Sequence, residues 1–253
     1  LNIKADLLQP FRNAVRLATY LGVSKKFAYQ IGAIAFDVGS GNSTATAGTS
    51  ITVSHNVTAG GSNRVMVGYG LNDGVGVESM TYNSVDMGTK VGSGAANYVD
   101  HIWTLVAPDT GANNLTFSDD TSTAPLVVMG TSLTGAAQSS VVDGSTFGGE
   151  TNTTQTITVT TAVNNSMVCD FMNGYNDVKV WTVDAAQTEI RNATGQNAYR
   201  QLSSYKATTT AGAIAMTWTR ETGAPSAYAN HSGIGIKEFA AAAEEAIVRR
   251  III

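Results

Sequence analysis

The stretch Ala213-Ile214-Ala215-Met216-Thr217-Trp218-Thr219 decides the fold class. Ile214, Met216 and Trp218 fall on one side of an extended chain. Ala215, Thr217 and Thr219 fall on the other, the period-two pattern of a strand with one buried face. Thr156-Ile157-Thr158-Val159-Thr160 repeats the pattern, with Ile157 and Val159 inward and threonines outward. In 228–238, Ile234 and Ile236 share a face with Ser232. Threonine on the solvent side suits a pleated surface.

Working outward, short β-prone runs follow one another from Ile34 onward. Strands are expected near 34–38, 50–57, 63–71, 77–82, 85–91, 97–107, 113–118, 125–134, 154–161, 166–173, 178–183, 187–192, 198–207, 213–219 and 228–238. Turn residues punctuate them: Gly60-Gly61, Asn72-Asp73-Gly74, Asn83-Ser84, Pro108-Asp109-Thr110-Gly111, Asp119-Asp120, Asn164-Asn165 and Gly223-Ala224-Pro225. Strands at this spacing read as two packed antiparallel sheets. The Gly/Ser/Thr-rich segment 135–153 shows no alternation and reads as a long surface loop.

The ends leave this regime. In residues 1–32, Leu7, Leu8, Phe11, Val15 and Ala18 recur at helical spacing, with Pro10 suited to a first turn. This segment carries a net charge of +4, whereas 33–240 carries −8. It reads as a helical arm that docks on a neighbouring subunit, the alternative being a helix packed on its own domain. At the other end, Ala240–Glu245 favours a helical turn, followed by Ile247, Val248, Ile251, Ile252 and Ile253. Burying several such side chains is worth several kcal/mol at roughly 25 cal/mol per Å². The tail is therefore expected to dock, either on its own domain or as a strand added across a subunit boundary. The expected organisation is an anchoring arm (1–32), a β-sandwich (33–239) and an apolar docking tail (240–253).

Composition bounds the rest. Ser, Thr and Gly fill 78 of 253 positions and charged residues only 13%, too apolar for a disordered chain. An acidic body argues against nonspecific nucleic-acid binding. With no run of about 18 apolar residues, no membrane-spanning helix is expected. The single Cys169 excludes a disulfide framework and a cysteine zinc site. Asp6, Gln9, Pro10 and Arg12 interrupt any signal-peptide core. If nothing longer precedes Leu1, export by the usual route is not expected.

Chemical motifs are sparse. No Gly-x-Ser-x-Gly elbow occurs, and Ser203 and Lys206 lie on opposite faces of an expected strand. His55, His101 and His231 have no ligand spacing, and His101 and His231 read as sheet residues. Cys169 reads as a buried structural thiol. No catalytic residue, cofactor or assigned metal is expected. A structural calcium site from Asp73, Asp119, Asp120 and Asp177 is the one metal reading left open. Paired acids for glycoside hydrolysis cannot be picked out. Trp103 and Trp218 read as core. Tyr175 and Trp181 read as an exposed pair able to stack on a sugar. Seven Asn-x-Ser/Thr sequons occur; several are expected by chance in so Ser/Thr-rich a chain, and they do not establish glycosylation.

The succession Ser62-Asn63-Arg64-Val65-Met66-Val67-Gly68, Val77-Glu78-Ser79-Met80-Thr81-Tyr82-Asn83-Ser84-Val85 and Ile102-Trp103-Thr104-Leu105-Val106-Ala107-Pro108-Asp109-Thr110-Gly111 resembles jelly-roll β-sandwich modules of phage virion and bacterial surface proteins. Ala213–Thr219 and Ser232–Lys237 fit the same pattern. The resemblance spans about residues 34–239 and carries no catalytic motif. It implies an all-β, antiparallel jelly-roll-like sandwich with roles in display, adhesion or assembly. The expectation is a non-enzymatic virion protein, in a capsid decoration or tail, that forms a homo-oligomer and contacts other virion proteins through its termini. The alternative is a secreted or cell-surface carbohydrate-binding adhesin; a polysaccharide-active enzyme stands third.

Overall fold

The computed structural model describes residues 33–239 apart from 45, 73–75, 89, 93–98, 122–124, 175–178, 197–198 and 222–228. The arm and tail expectations (Leu7, Leu8, Phe11, Val15, Ile247, Val248, Ile251, Ile252 and Ile253) lie outside the described residues, as does Tyr175. Seventeen strands are described: β1 (Ala35–Ser43), β2 (Ser50–Val57), β3 (Val65–Asn72), β4 (Glu78–Tyr82), β5 (Val85–Asp86), β6 (Lys90–Val91), β7 (Val99–Val106), β8 (Gly111–Asp119), β9 (Val127–Thr134), β10 (Val142–Glu150), β11 (Thr154–Thr161), β12 (Met167–Gly174), β13 (Trp181–Val183), β14 (Thr188–Thr194), β15 (Arg200–Ala207), β16 (Gly212–Arg220) and β17 (Ala229–Ile236). All pairings are antiparallel.

The strands form four sheets in two lobes. In the first lobe the inner sheet runs β1-β9-β3-β7-β6 and the outer sheet β2-β8-β4-β5; in the second, β10-β17-β12-β15-β14 and β11-β16-β13. The second lobe repeats the first in register, not only in order. The row Phe36–Leu133–Val65–Val106 crosses the first inner sheet. The row Val142–Ile236–Met167–Ala207 crosses the second in the same strand positions. A β-bulge follows Phe36 and another follows Val142, so Asp37 and Asp143 occupy equivalent kinks. Each carboxylate pins a neighbouring corner: Asp37 accepts from Thr58 N and Oγ1 and from Ser132 Oγ, and Asp143 from Val163 N and Ser166 Oγ. The hydroxyl pair Thr52–Thr116 recurs as Thr156–Thr217, at 2.9 and 3.0 Å.

The two inner sheets pack face to face. Their shared core includes Tyr69, Ile102 and Met129 from one lobe and Phe171, Ile234 and Cys169 from the other. Separate cores fill each lobe: Met80, Trp103, Leu115 and Phe117 in the first, Trp181, Trp218, Leu202 and Met172 in the second. Every residue of β3, β12 and β17 is consequently buried, because these strands have a core on both sides. The one-sided alternation expected for 228–238 is thus corrected: Ser232, Ile234 and Ile236 do share a face, but the opposite face is buried too. Outer strands keep the expected alternation; β11 runs exposed Thr154, Thr156, Thr158 and Thr160 against buried Gln155, Ile157, Val159 and Thr161.

Tyr69 and Phe171 stand four residues along from Val65 and Met167, at equivalent positions, and they stack on each other with centroids 5.5 Å apart and planes 11° from parallel. Equivalent residues in mutual contact are the mark of an approximate two-fold relation.

Several expectations change. Segment 135–153 is not all loop: β10 pairs with β17 along its length. It escapes the period test because Gly144, Gly148 and Gly149 replace half its pattern, and at Gly144 a Cβ would run into the Thr160 carbonyl. The run 85–91 divides into β5 and β6, the strand expected at 34–38 extends to Ser43, and the one expected at 178–183 is confined to Trp181–Val183. The Asn83-Ser84 turn is made as expected, with φ of 48° and 63° at its two residues.

Removing the ring at the two-fold contact tests this packing. Phe171→Ala is expected to cost about 3–5 kcal/mol, and Tyr69→Ala a similar amount, read as a lower urea midpoint. A loss under about 1 kcal/mol for both contradicts the interlobe core.

Candidate functional site

Three polar groupings inside or beside the sandwiches are candidates for chemistry. Because the lobes repeat, each can be compared with its equivalent in the other lobe, which shows whether the fold itself requires it.

The first lies within the second lobe. Asp170 on β12 is completely buried. Its carboxylate accepts four hydrogen bonds: from Ser204 N at 2.8 Å, Ser204 Oγ at 2.5 Å, Trp218 Nε1 at 2.9 Å and His231 Nε2 at 2.9 Å. Gln187 Nε2 donates onward to Ser204 Oγ. A Ser, a His and an Asp meet here, but the carboxylate sits between the other two. Ser204 Oγ donates to Asp170, not to the imidazole, and all three are sealed from solvent, so the triad order needed for nucleophilic attack is absent. The equivalent positions in the first lobe are Gly68, Trp103, Phe117 and Val128. There the Trp103 indole occupies the core in place of the polar hub. The hub ties β12, β15, β16 and β17 together by charge-assisted bonds.

The second grouping closes the β1–β2–β9 corner of the first lobe. Ser40 Oγ lies 2.8 Å from His55 Nδ1, and His55 Nε2 lies 3.1 Å from Ser132 Oγ, which donates to Asp37 Oδ2 at 2.8 Å. The donors run in one direction: Ser40 hydroxyl to Nδ1, Nε2–H to Ser132, Ser132 hydroxyl to carboxylate. A serine beside an imidazole invites a nucleophile reading. Burial lowers the His55 pKa to about 4, partly opposed by Asp37. A base that weak is poorly matched to neutral pH. The chain of bonds acts as a polar seam. The second lobe closes the same corner with Thr146, Val159 and Gly235.

The third is a surface cavity of about 430 Å³ at the end of the first lobe, lined by Glu78, Lys90, His101, Asp120 and Thr121 among others. Lys90 Nζ pairs with Glu78 Oε2 at 2.5 Å, and His101 Nε2 lies 3.5 Å from the same oxygen. Burial works to raise Glu78, but the Lys90 hydrogen bond and charge outweigh it and hold the carboxyl below its usual range. Burial first, then Lys90, lowers His101. Its Nδ1–H donates to the Gly92 carbonyl at 2.9 Å. The result is a fixed carboxylate spent on an ammonium. Glu78 carried no signal in sequence, since nothing marks which strand-end acid meets a lysine twelve residues away.

The expected site residues fall as follows. Trp181 is only 1% exposed, packed with Met172, Leu202 and Trp218. Its ring offers no face to a sugar, which corrects the glycan-contact expectation: a tryptophan just after a polar turn reads as exposed in sequence, but this one packs inward. Trp103, Trp218 and Cys169 are buried as expected, and burial drives the Cys169 thiol far up. His101 and His231 are sheet residues. Asp119 accepts from Asn72 Nδ2 and Thr121 N, and Asp120 from Val77 N, so both carboxylates hold turns. Asp73 and Asp177 lie outside the described residues. Among the described residues, no three or more His, Cys, Asp or Glu side chains group to hold a metal, and no helix is long and apolar enough to cross a membrane.

No family model matches the chain, and no curated protein sequence does. Among solved structures, the chain has some likeness to the major capsid protein P2 of bacteriophage PM2, with TM-score 0.27 and 9% identity, over 81% of this chain and 99% of that one. A likeness to PNGase F, a glycosylasparaginase from Flavobacterium meningosepticum, has TM-score 0.29 and 7% identity, over 81% and 97% of the two chains. Oxalate decarboxylase from Bacillus subtilis follows at TM-score 0.19 and 7% identity, over 85% and 79%. No residue role is transferred from any of them.

Two buried groups give opposite pH dependences in one window. Asp100, buried between the lobes, has its pKa raised to about 7 by desolvation. Its contribution to stability is present below pH about 4 and is lost as pH rises toward 7. His55 contributes stability above pH about 6.5 that is lost as pH falls toward 4. Relative to the unsubstituted chain, Asp100→Asn is expected to gain stability progressively from pH 4 to 7, by about 1.4 kcal/mol per pH unit at most. His55→Gln is expected to lose it over the same interval. Urea midpoints across that range check both; parallel curves for all three chains contradict the assignment.

Proposed function

We propose that the protein is a non-enzymatic structural component of a virion, built as two fused jelly rolls and assembling through its terminal segments. One observation carries the reading: seven strands of an eight-strand set keep the same places in both halves of the chain. Taking β1, β2, β3, β4, β5, β7, β8 and β9 as strands one to eight, the sheets hold one-eight-three-six and two-seven-four-five. In the second lobe β10 to β17 match at seven of these places, while the fifth strand, β14, borders the sixth, β15, in place of the fourth. The order of the first lobe supports the jelly-roll reading, a fold used by capsid and lectin domains.

The outward faces support the same reading. On β2 the exposed positions are Ser50, Thr52, Ser54 and Asn56; on β11 they are Thr154, Thr156, Thr158 and Thr160. These are uncharged, polar rows, seven hydroxyls and one amide, suited to an inert exterior or to close side-by-side packing of copies. Assembly is assigned to the cationic segment 1–32 and the aliphatic tail 247–253, the latter as an added strand. The proposed location is the virion.

Light scattering and negative-stain microscopy of the full chain test this. The full chain is expected to form defined oligomers, and a chain ending at Ala240 to stay monomeric with an unchanged urea midpoint. A full chain that remains monomeric at every concentration, or a truncated chain that assembles equally well, overturns it.

A further inference from the structure

The Asp170 hub contains one contact that its bracing role does not account for. Gln187 lies in the turn ahead of β14 and is buried. Its Oε1 accepts from Thr217 N at 2.6 Å, and its Nε2 donates to Ser204 Oγ at 2.7 Å. A backbone N–H can only donate, so Thr217 fixes which end of the carboxamide is oxygen. Ser204 Oγ in turn donates to Asp170 Oδ1 at 2.5 Å. A hydroxyl thus stands between a carboxylate that accepts its proton and a carboxamide whose carbon lies one bond beyond the nitrogen it touches.

These are the parts of an acyl transfer, held in one place. Asp170 is positioned as the base. The Thr217 N–H already sits on the carbonyl oxygen, where negative charge develops during attack. Side chains fixed in contact react as though at very high concentration, with effective molarities on the order of 10⁵–10⁸ M. Ser204, Asp170 and Trp218 are fully buried, and Gln187 is the most exposed of the group at 8%. Water therefore has little access to hydrolyse an acyl product. A triad able to attack an outside substrate is absent here, but a reaction between side chains already in contact needs only the carboxylate. The fold does not require this arrangement, since Gly68 and Trp103 fill the places of Asp170 and Ser204 in the first lobe.

We propose that Ser204 and Gln187 condense to an intramolecular ester that ties β15 to the turn before β14. Ser204 gives its proton to Asp170, and its oxygen bonds to Gln187 Cδ. The carbonyl electrons move onto Oε1, held by the Thr217 N–H, and return as the Cδ–Nε2 bond breaks. The departing nitrogen takes the proton from Asp170 and leaves as ammonia on the Gln187 side. A hydroxyl and a carboxamide become an ester and ammonia, with no oxidant or co-reactant consumed. Protonation and dilution of the ammonia in neutral water draw the exchange forward. Strand β14 is an edge of its sheet, so the tie secures a strand that is paired on one side only. The inference is independent of the assembly reading.

Intact-mass measurement of the full chain, denatured after storage at neutral pH, tests this. The mass is expected to lie below that of the sequence by one ammonia. In Ser204→Ala and in Gln187→Ala it is expected to match the substituted sequence. Trypsin cuts after Lys179, Arg191, Arg200 and Lys206. Residues 180–191 are therefore expected joined to residues 201–206, and hydroxylamine is expected to part them. The joined peptide comes from the unsubstituted chain, so it is read whether or not the variants fold. An unsubstituted chain of full sequence mass overturns the proposal. Ammonia loss without the joined peptide also overturns it, because the loss then lies elsewhere, as at Asn173-Gly174. A joined peptide that persists in Ser204→Ala assigns the bond to another residue and overturns it too.

Discussion

The mutual burial of the two inner sheets is the constraint from which the rest of the architecture follows. A β-sandwich of this size needs only one core, and its sheets ordinarily show water one face each. Here β3, β12 and β17 are covered on both sides, so neither inner sheet has a solvent face to offer. The Tyr69–Phe171 stack marks the centre of that contact. Around it the shared core draws on both lobes, and Phe36 stacks on Tyr205 farther out, with centroids 5.1 Å apart. Outer sheets are then free to specialise as surface, and the exposed rows of β2 and β11 carry hydroxyls and one amide rather than charge.

Repetition also separates what the fold needs from what this chain has added. The bulge aspartates Asp37 and Asp143 occur in both lobes and pin the same corner, so they belong to the fold. The Asp170 hub, the Ser40–His55–Ser132 seam and the buried Asn230–Asn173–Gln201 carboxamide layer occur in one lobe each, and the other lobe builds the same place with Gly68 and Val128, with Val159 and Gly235, or with Leu71 and Val127. A buried polar group costs desolvation that an aliphatic does not. The seam and the Asp170 carboxylate of the hub recover that cost through hydrogen bonds given and received within the protein, whereas His231 Nδ1 has no partner. The carboxamide layer does so in part: Asn173 donates to the Arg200 carbonyl and Gln201 accepts from Arg191, while both amide atoms of Asn230 are left without a partner.

Much of the fold was legible in the sequence, for identifiable reasons. Strands β11 and β16 alternate cleanly because one face meets a core and the other meets water. Strands β3, β12 and β17 showed as apolar-leaning runs whose second buried face was not evident, since Gly68, Gly70, Gly233 and Gly235 interrupt it. Strand β10 was missed because its glycines permit close approach instead of supplying side chains. The duplication was invisible because equivalent positions share geometry rather than residue type: Gly68 answers to Asp170, and Trp103 to Ser204. Candidate sites were less legible still. Ser204 lies 34 residues from Asp170 and 17 from Gln187, and only strand pairing and packing bring the three together. Trp181 reads as exposed because it follows a polar turn, yet it is buried in one apolar cluster with Trp218.

Amide hydrogen exchange of the full chain tests the central claim most directly, because protection reports which strands open only with global unfolding. The account predicts that the amides of β3, β9, β12 and β17 form one slowest-exchanging class drawn from both lobes, with β2, β5 and β13 exchanging earlier. A slow class confined to one lobe, with β12 and β17 exchanging as early as the outer strands, would show that the inner sheets do not share a core and would contradict it.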